Sequence, residues 1–212
     1  AKVKVFAMLT GKDHFGGDIS VLLKPDKRAA FVRNLVDFLR IHNLDGIDID
    51  IEGKHLRSIS KPIDYFTPFI RELKEALSPL GKEVSAATSF YMPNGIPKAS
   101  FKYLDFLNVM VYDRVGPWAA DPKGKDHSPM WIAEDAITNY KNAGAPAEKI
   151  VLGVPFYGYA FGDTFATDTW AFKGIVETFG DSAAFVDIQG DFRVGGEYLT
   201  YNGISTIRAK AQ

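Results

Sequence analysis

The 212 residues, 46% hydrophobic and 24% charged, fit an ordinary globular protein of one domain and exclude a disordered, fibrous or membrane-embedded chain. With 25 basic against 26 acidic residues the formal net charge is -1, so no global field draws the protein onto nucleic acid or an anionic bilayer. Cysteine is absent, which removes disulfides, thiolate metal sites and thiol nucleophiles, and no apolar run reaches the roughly 18 residues of a membrane-spanning helix.

Short β-branched runs alternate with longer amphipathic segments, the pattern of βα units around a parallel sheet. Val3 to Leu9 reads as a strand, ahead of a Gly-rich turn with Gly11, Gly16 and Gly17. The start, AKVKVFAMLT, lacks the layout of a signal peptide, so any export signal is expected outside this sequence. Pro25 suits the first position of a helix whose Phe31, Val32, Leu35, Val36, Phe38 and Leu39 recur at helical spacing on one face. Leu44 to Glu52 is a second strand. Ile63 to Leu77 follows as a helix with Phe66, Phe69, Ile70, Leu73 and Leu77 as its buried stripe and Pro68 as a kink or an end of its first turn. Val84 to Phe90, Phe106 to Tyr112 and Ile150 to Tyr157 are three further strands. A helix from Pro129 to Asn142, stopped by Gly144 and Pro146, separates the last two. Residues 161–185, rich in Gly, Asp, Thr and aromatics, read as an inserted loop or small subdomain; a short strand at Tyr198 to Tyr201 and a helix from Ile204 complete the chain.

That reading gives about six strands, where a closed (β/α)8 barrel needs eight. Two architectures fit: an open doubly wound sheet, or a barrel whose first and last units lie outside the sequence. No Gly-rich phosphate-binding motif follows the first strand, which weakens nucleotide-binding versions of the open sheet.

The stretch L-D-G-I-D-I-D-I-E from Leu44 to Glu52 carries the most chemistry. Strand alternation places Asp48, Asp50 and Glu52 on one face and Ile47, Ile49 and Ile51 on the other, with neighbouring acids about 7 Å apart. In a partly desolvated site three such acids cannot all ionise cheaply, so at least one is expected to titrate high. The isoleucines would pack against helices and turn the acids toward a barrel interior, with Glu52 at the C-terminal end of its strand, where barrel enzymes carry catalytic groups. A solvated acidic strand face and a hard-cation site for magnesium or calcium are the other readings of the same residues; His42 and His55 are the only histidines close by.

These residues resemble the signature D-G-x-D-x-D-x-E of family 18 glycoside hydrolases, the chitinases and endo-β-N-acetylglucosaminidases, at Asp45, Gly46, Asp48, Asp50 and Glu52. N-V-M-V-Y-D at Asn108 to Asp113 resembles the family's M-x-Y-D strand, and K-I-V-L-G-V-P-F-Y-G at Lys149 to Gly158 its next strand. The helix from Arg28 to His42 resembles the one before the signature. The resemblance implies one catalytic domain over residues 1–212, a (β/α)8 TIM barrel incomplete in this sequence, with Val3 to Leu9 as its second strand and Tyr198 to Tyr201 as its seventh. The eighth strand, which supplies a subsite tryptophan in the family, is then not included. T-G-K-D from Thr10 departs from the family's Gly-Gly-aromatic turn.

The resemblance further implies hydrolysis of β-1,4 bonds next to N-acetylglucosamine in which the substrate's own acetamido oxygen is the nucleophile. Glu52 would protonate the leaving oxygen and later activate water, Asp50 would hold the acetamido N–H, Asp48 would share a proton with Asp50, and Tyr112 would position the acetamido oxygen. Asp113 would line the same subsite and Met110 would form a packed wall. Trp118, Tyr157 and Phe90, with Tyr91 beside it, are candidate sugar-stacking aromatics, for which plain packing is the competing reading. Asp45 is expected to brace the turn into its strand, and the loop residues His14 and His127 are assigned no role. The implied partner is an N-acetylglucosamine-containing oligo- or polysaccharide, met outside the cell or in its envelope, with no cofactor and no metal. Acting on N-glycans, or binding sugar without cleaving it, are the alternatives.

Overall fold

The computed structural model describes residues 3–11, 19–51, 62–91, 95–119, 125–163, 169–192 and 196–212. Two compact units make up the chain: Ala1–Val109 with Ile137–Val151, and Met110–Ala136 with Leu152–Gln212.

The first unit is built on a sheet in which β1 (Phe6–Thr10), β2 (Gly46–Asp50), β3 (Glu83–Ser89), β4 (Phe106–Met110) and β5 (Ile150–Gly153) lie side by side in sequence order. β2 pairs parallel with both β1 and β3, Asp48 standing level with Met8 and Ser85. Strictly sequential neighbours are how a barrel is wound, whereas a doubly wound sheet reverses its order at a switch point, so the open-sheet reading falls away.

Helices occupy the connections. After the short α1 (Ile19–Leu22), α2 (Pro25–Ile41) begins with a proline whose fixed φ suits the first turn. α3 (Pro62–Leu77) carries the five-residue stripe expected of it: Phe66, Phe69, Ile70, Leu73 and Leu77 are all fully buried, and Pro68 sits inside the helix without ending it. The ring of Phe31 stacks on Phe69 at 5.7 Å, and Arg28 pairs with Glu72 at 2.8 Å, tying α2 to α3. The stripe of α2 is narrower than its periodicity suggests. Val32 and Leu39 are buried but Phe38 is 46% exposed, its ring resting on His42 at 4.5 Å. α4 (Met130–Asn142) ends as its sequence predicts, at Gly144 with φ 94°.

Two aspartates staple the N-terminal ends of the strands. Asp45 exchanges backbone bonds with Val5 and Glu83 and accepts the Val5 N–H on Oδ2 at 2.8 Å. Asp105 does the same for Val84 at 2.7 Å and is neutralised by Lys74 at 2.6 Å. Asp45 is thus the brace expected of it, at the strand end away from Asp50.

The second unit holds a four-stranded sheet, ordered β7 (Thr169–Ala171), β6 (Tyr157–Phe161), β9 (Tyr198–Thr200), β8 (Ile188–Gly190), in which β6 pairs antiparallel with β7 and β9, and β9 with β8. α5 (Phe172–Phe179) and α6 (Ile204–Lys210) complete it. Two expectations are corrected here. Ile150 to Tyr157, read as one strand, is two, because Pro155 lacks an N–H for the ladder and separates β5 from β6. Tyr198 to Tyr201, read as a barrel strand, pairs instead with β6 and β8, leaving five parallel-sheet strands among the described residues. Ala160, Ile175, Ala183, Leu199 and Tyr201 form an apolar cluster in this unit, and the Tyr201 hydroxyl donates to the Ala183 carbonyl at 2.8 Å.

α6 is locked by a buried lysine. Lys210 is 6% exposed, and its Nζ donates to the Ser128 carbonyl (2.7 Å), Ser128 Oγ (2.7 Å) and Asn202 Oδ1 (2.9 Å). All three acceptors are neutral; burial, partly offset by the more distant Asp126 and Asp187, pulls the ammonium down to about 8. No helix among the described residues is long and apolar enough to cross a membrane.

Candidate active site

In the first unit the candidate chemistry sits on β2. Ile47, Ile49 and Ile51 are fully buried while Asp48 and Asp50, on the opposite face, are half-buried, as strand alternation requires. Asp48 is oriented by its neighbours: Oδ1 accepts the Ser85 hydroxyl from β3 and the Asn108 amide from β4, the latter at 2.9 Å. Two donors from two adjacent strands fix the carboxylate across the sheet. Glu52, like His14 and His55, lies outside the described residues.

Gly46 explains why the strand opens with glycine. A Cβ there would stand 2.6 Å from the Glu83 carbonyl oxygen and 2.4 Å from the Phe6 ring, so β2 and its neighbours can close only around a bare backbone. Phe90 follows β3 half-buried, and Tyr91 is exposed. The end of β3 is pinned by the fully buried Tyr140, whose hydroxyl meets Thr88 Oγ1 at 2.6 Å and donates to the Ser89 carbonyl at 2.7 Å. Burial pushes the Tyr140 phenol up to about 12, which keeps it a donor.

In the second unit the chain leaves β4 through Met110, half-buried, and reaches Tyr112 and Asp113. Asp113 has φ 59°, a left-handed backbone that aspartate tolerates better than most residues. Its side chain is 40% exposed. Oδ1 accepts the Tyr157 hydroxyl and, at 3.1 Å, the Tyr159 hydroxyl, both from β6, and His127 Nδ1 stands 3.8 Å away, too far for a hydrogen bond but close enough for electrostatic attraction. Burial pushes the Asp113 carboxyl up, but His127 and the two tyrosines outweigh it and hold the group below its ordinary value of 3.8. The phenols respond in the opposite sense. Burial and the Asp113 charge push both Tyr157 and Tyr159 well above the usual tyrosine range.

Aromatic rings enclose this carboxylate. Tyr112 meets Tyr157 edge-on at 6.0 Å, Tyr157 meets Tyr159 at 5.5 Å, and Trp118, 64% exposed, sets its ring edge-on to Tyr159 at 5.1 Å. Gly116 makes room for that indole, since a Cβ there would lie 2.3 Å from the ring. The cluster joins Tyr112, Asp113, Trp118 and Tyr157, all named from sequence, with two residues that sequence reasoning missed. Tyr159 was signalled by the alternation Tyr157, Tyr159, Phe161 on one strand face. His127, assigned no role as a polar loop residue, is fully buried, and nothing local marks it. No group of three or more histidines and carboxylates suited to a metal occurs among the described residues.

Comparison with known proteins shows the family and the fold. The model of the family described as "Glycosyl hydrolases family 18" matches residues 1–212. A protein called "Probable chitinase 10" from Drosophila melanogaster is 31% identical over 75% of this chain and 8% of its own length. Among solved structures, a GH18 chitinase from the chitin utilization locus of Flavobacterium johnsoniae is 30% identical with a TM-score of 0.79, covering 98% of this chain and 64% of its own. Catalytic domain 2 of the Ostrinia furnacalis Group II chitinase, solved with an N-acetylchitooligosaccharide, is 25% identical with a TM-score of 0.80 over 99% of this chain and 67% of its own. The chain spans less than half the length of the curated relatives it matches. The parallel sheet is accordingly that of a (β/α)8 barrel, not closed by the strands present here.

Proposed function

We propose, from the premise that this chain belongs to glycosyl hydrolase family 18, that it forms the greater part of a retaining hydrolase cleaving β-1,4 bonds next to N-acetylglucosamine in chitin-type oligomers. The single observation that carries the reading is β2: a glycine enforced by its neighbours, three isoleucines buried on one face, and Asp48 and Asp50 on the other with Asp48 held by two donors.

In this reading Glu52 donates a proton to the leaving glycosidic oxygen while the acetamido carbonyl oxygen of the sugar attacks the anomeric carbon. Asp50 accepts the acetamido N–H and stabilises the cyclic cation that forms, with Asp48 steadied behind it. Tyr112 donates its hydroxyl to the acetamido oxygen and keeps it on the line of attack. Glu52, now a carboxylate, takes a proton from water as it opens the ring, which retains the anomeric configuration. Asp113 Oδ1 is turned toward its tyrosines, so Oδ2 accepts from a sugar hydroxyl; Trp118 offers a ring face for stacking, and Phe90 and Met110 line the same substrate. Action outside the cell follows from such a substrate.

The test is Glu52→Gln in the complete gene product, assayed on N-acetylchitotetraose and cellohexaose with and without chelator. The wild type is expected to cleave the first, spare the second and ignore the chelator, while the variant binds sugar without turnover. Rapid cleavage of cellohexaose, which has no acetamide, refutes the mechanism; an unimpaired Glu52→Gln enzyme refutes the assignment of the acid.

A further inference from the structure

His127 is the group in the second unit that the mechanism leaves unused. Its ring is completely buried, and the backbone is held on both sides: the N–H points to Thr200 Oγ1 at 3.4 Å, and the carbonyl accepts the Arg114 N–H at 3.0 Å. The imidazole lies 5.5 Å from the Tyr157 ring and 5.2 Å from the Tyr159 ring. Among the described residues neither ring nitrogen has a hydrogen-bond partner. Buried polar atoms left in that state are uncommon and mark a site where something else is needed.

What is within reach is Asp113. Its Oδ1 is 3.8 Å from Nδ1. The other charged groups near the ring are already engaged. The Asp126 carboxylate takes Thr200 Oγ1 at 2.8 Å and the Ser128 N–H at 2.9 Å; the Arg114 guanidinium reaches the Asp126 carbonyl and lies over Trp131; Lys210 is spent on Ser128 and Asn202. The tyrosine hydroxyls of β6 both point at the same carboxylate oxygen.

We propose that His127 is a positioning residue for Asp113. It faces Oδ1 from behind the tyrosine pair, keeps Oδ2 turned outward, and closes to hydrogen-bond distance when a bound sugar strips water from the carboxylate. The physical cause is the change in screening: water on the exposed side of Asp113 weakens its attraction for the imidazole N–H, and a sugar that replaces that water strengthens it. A carboxylate desolvated by ligand also requires a donor it lacks in the free protein, and a waiting N–H supplies it without a large motion. The inference rests on the reading that Asp113 binds substrate.

The test is a double-mutant cycle in the complete gene product with N-acetylchitotetraose. His127→Phe keeps a ring against the tyrosines but has no nitrogen. It is expected to raise KM by about tenfold with kcat within about twofold, and His127→Gln, which restores a donor, to recover most of the loss. In an Asp113→Asn background His127→Phe should add almost nothing. An unchanged KM in His127→Phe, or a full additional loss in the Asp113→Asn background, overturns the proposal. An Asp113→Asn enzyme with unchanged KM, or a wild type that does not act on the sugar, sinks the underlying reading instead. A Glu52→Gln background, which leaves the sugar intact, gives a second measurement: the nitrogen resonance of His127 Nδ1 should shift when the tetraose binds, and a resonance that stays put also overturns the proposal.

Discussion

Replacing Gly46 by alanine tests the packing of the acid-bearing strand. The new Cβ would stand 2.6 Å from the Glu83 carbonyl oxygen, roughly 0.8 Å inside the ordinary contact distance of 3.4 Å. The Phe6 ring, at 2.4 Å, can turn aside at the expense of its edge contact with Phe106 at 5.7 Å. The carbonyl cannot, because Gly46 and Glu83 are register partners and moving one strains the β2–β3 ladder. Overpacking of this kind costs about 1–3 kcal/mol, and the lower backbone entropy of alanine in the unfolded chain returns about 0.4–1 kcal/mol. A net loss of about 1 kcal/mol corresponds to a fall of about 2–4 °C in Tm for a domain of about 150–250 residues. Urea and thermal unfolding of the complete gene product read it directly. Gly174→Ala is the control, since nothing lies within 4 Å of its Cβ position in α5 and the exchange should add about 0.5–1 kcal/mol. A Gly46→Ala protein within about 0.5 kcal/mol of wild type would show that β2 and β3 give way freely, and the argument for an enforced glycine would fail.

Three further outcomes follow from the second unit. Lys210 titrates near 8 when folded against 10.5 when not, so the unfolded chain holds more protons between those values; a penalty of about 3 kcal/mol, complete below pH 8, should fade toward pH 10.5. Measured against Lys210→Met by urea unfolding, the wild type should therefore gain stability from pH 8 to 10.5, and a flat difference would contradict the buried ammonium. Asp113 behaves oppositely: its folded value lies below 3.8, so the stability it contributes is complete above that value and is lost as the pH falls through the lower one. Tyr157→Phe, which removes a donor to that carboxylate, should lose less stability on acidification than wild type, as followed by circular dichroism. Gly116→Ala should push Trp118 from its place and weaken N-acetylchitotetraose binding by about threefold to tenfold while Tm stays nearly unchanged, because the indole is mostly in solvent. Titration calorimetry in a Glu52→Gln background, alongside a melting curve, separates the two effects.

What could be read before folding was whatever the chain states locally and twice. β2 is legible because the same nine residues carry a buried apolar face and an acidic one, and α3 because five large side chains share one stripe. α2 is less legible: Phe38 repeats at the right spacing yet lies at the stripe's margin. The break at Pro155 was hidden by the apolar residues on either side of it, which continue the composition of a strand although the backbone cannot continue its ladder. Pairing across distance was not legible at all, since nothing within Tyr198 to Tyr201 says that its neighbours are β6 and β8 rather than a parallel strand. His127 belongs to the same class. Its burial is created by tyrosines some thirty positions further along the chain, so its own surroundings in sequence give only a charged turn.

The backbone at Asp113 restricts the position before any chemistry is considered. With φ at 59°, a β-branched or bulky residue would have to be forced into a conformation open mainly to glycine, asparagine and aspartate. A saturation library at this codon should accordingly rank glycine, asparagine and aspartate as the most stable, and of those three only aspartate brings a negative charge to the sugar. Glutamate, which carries the same charge, bears more of the cost of that backbone than aspartate, so lengthening the side chain by a single carbon retunes the reach of that charge only at the expense of stability.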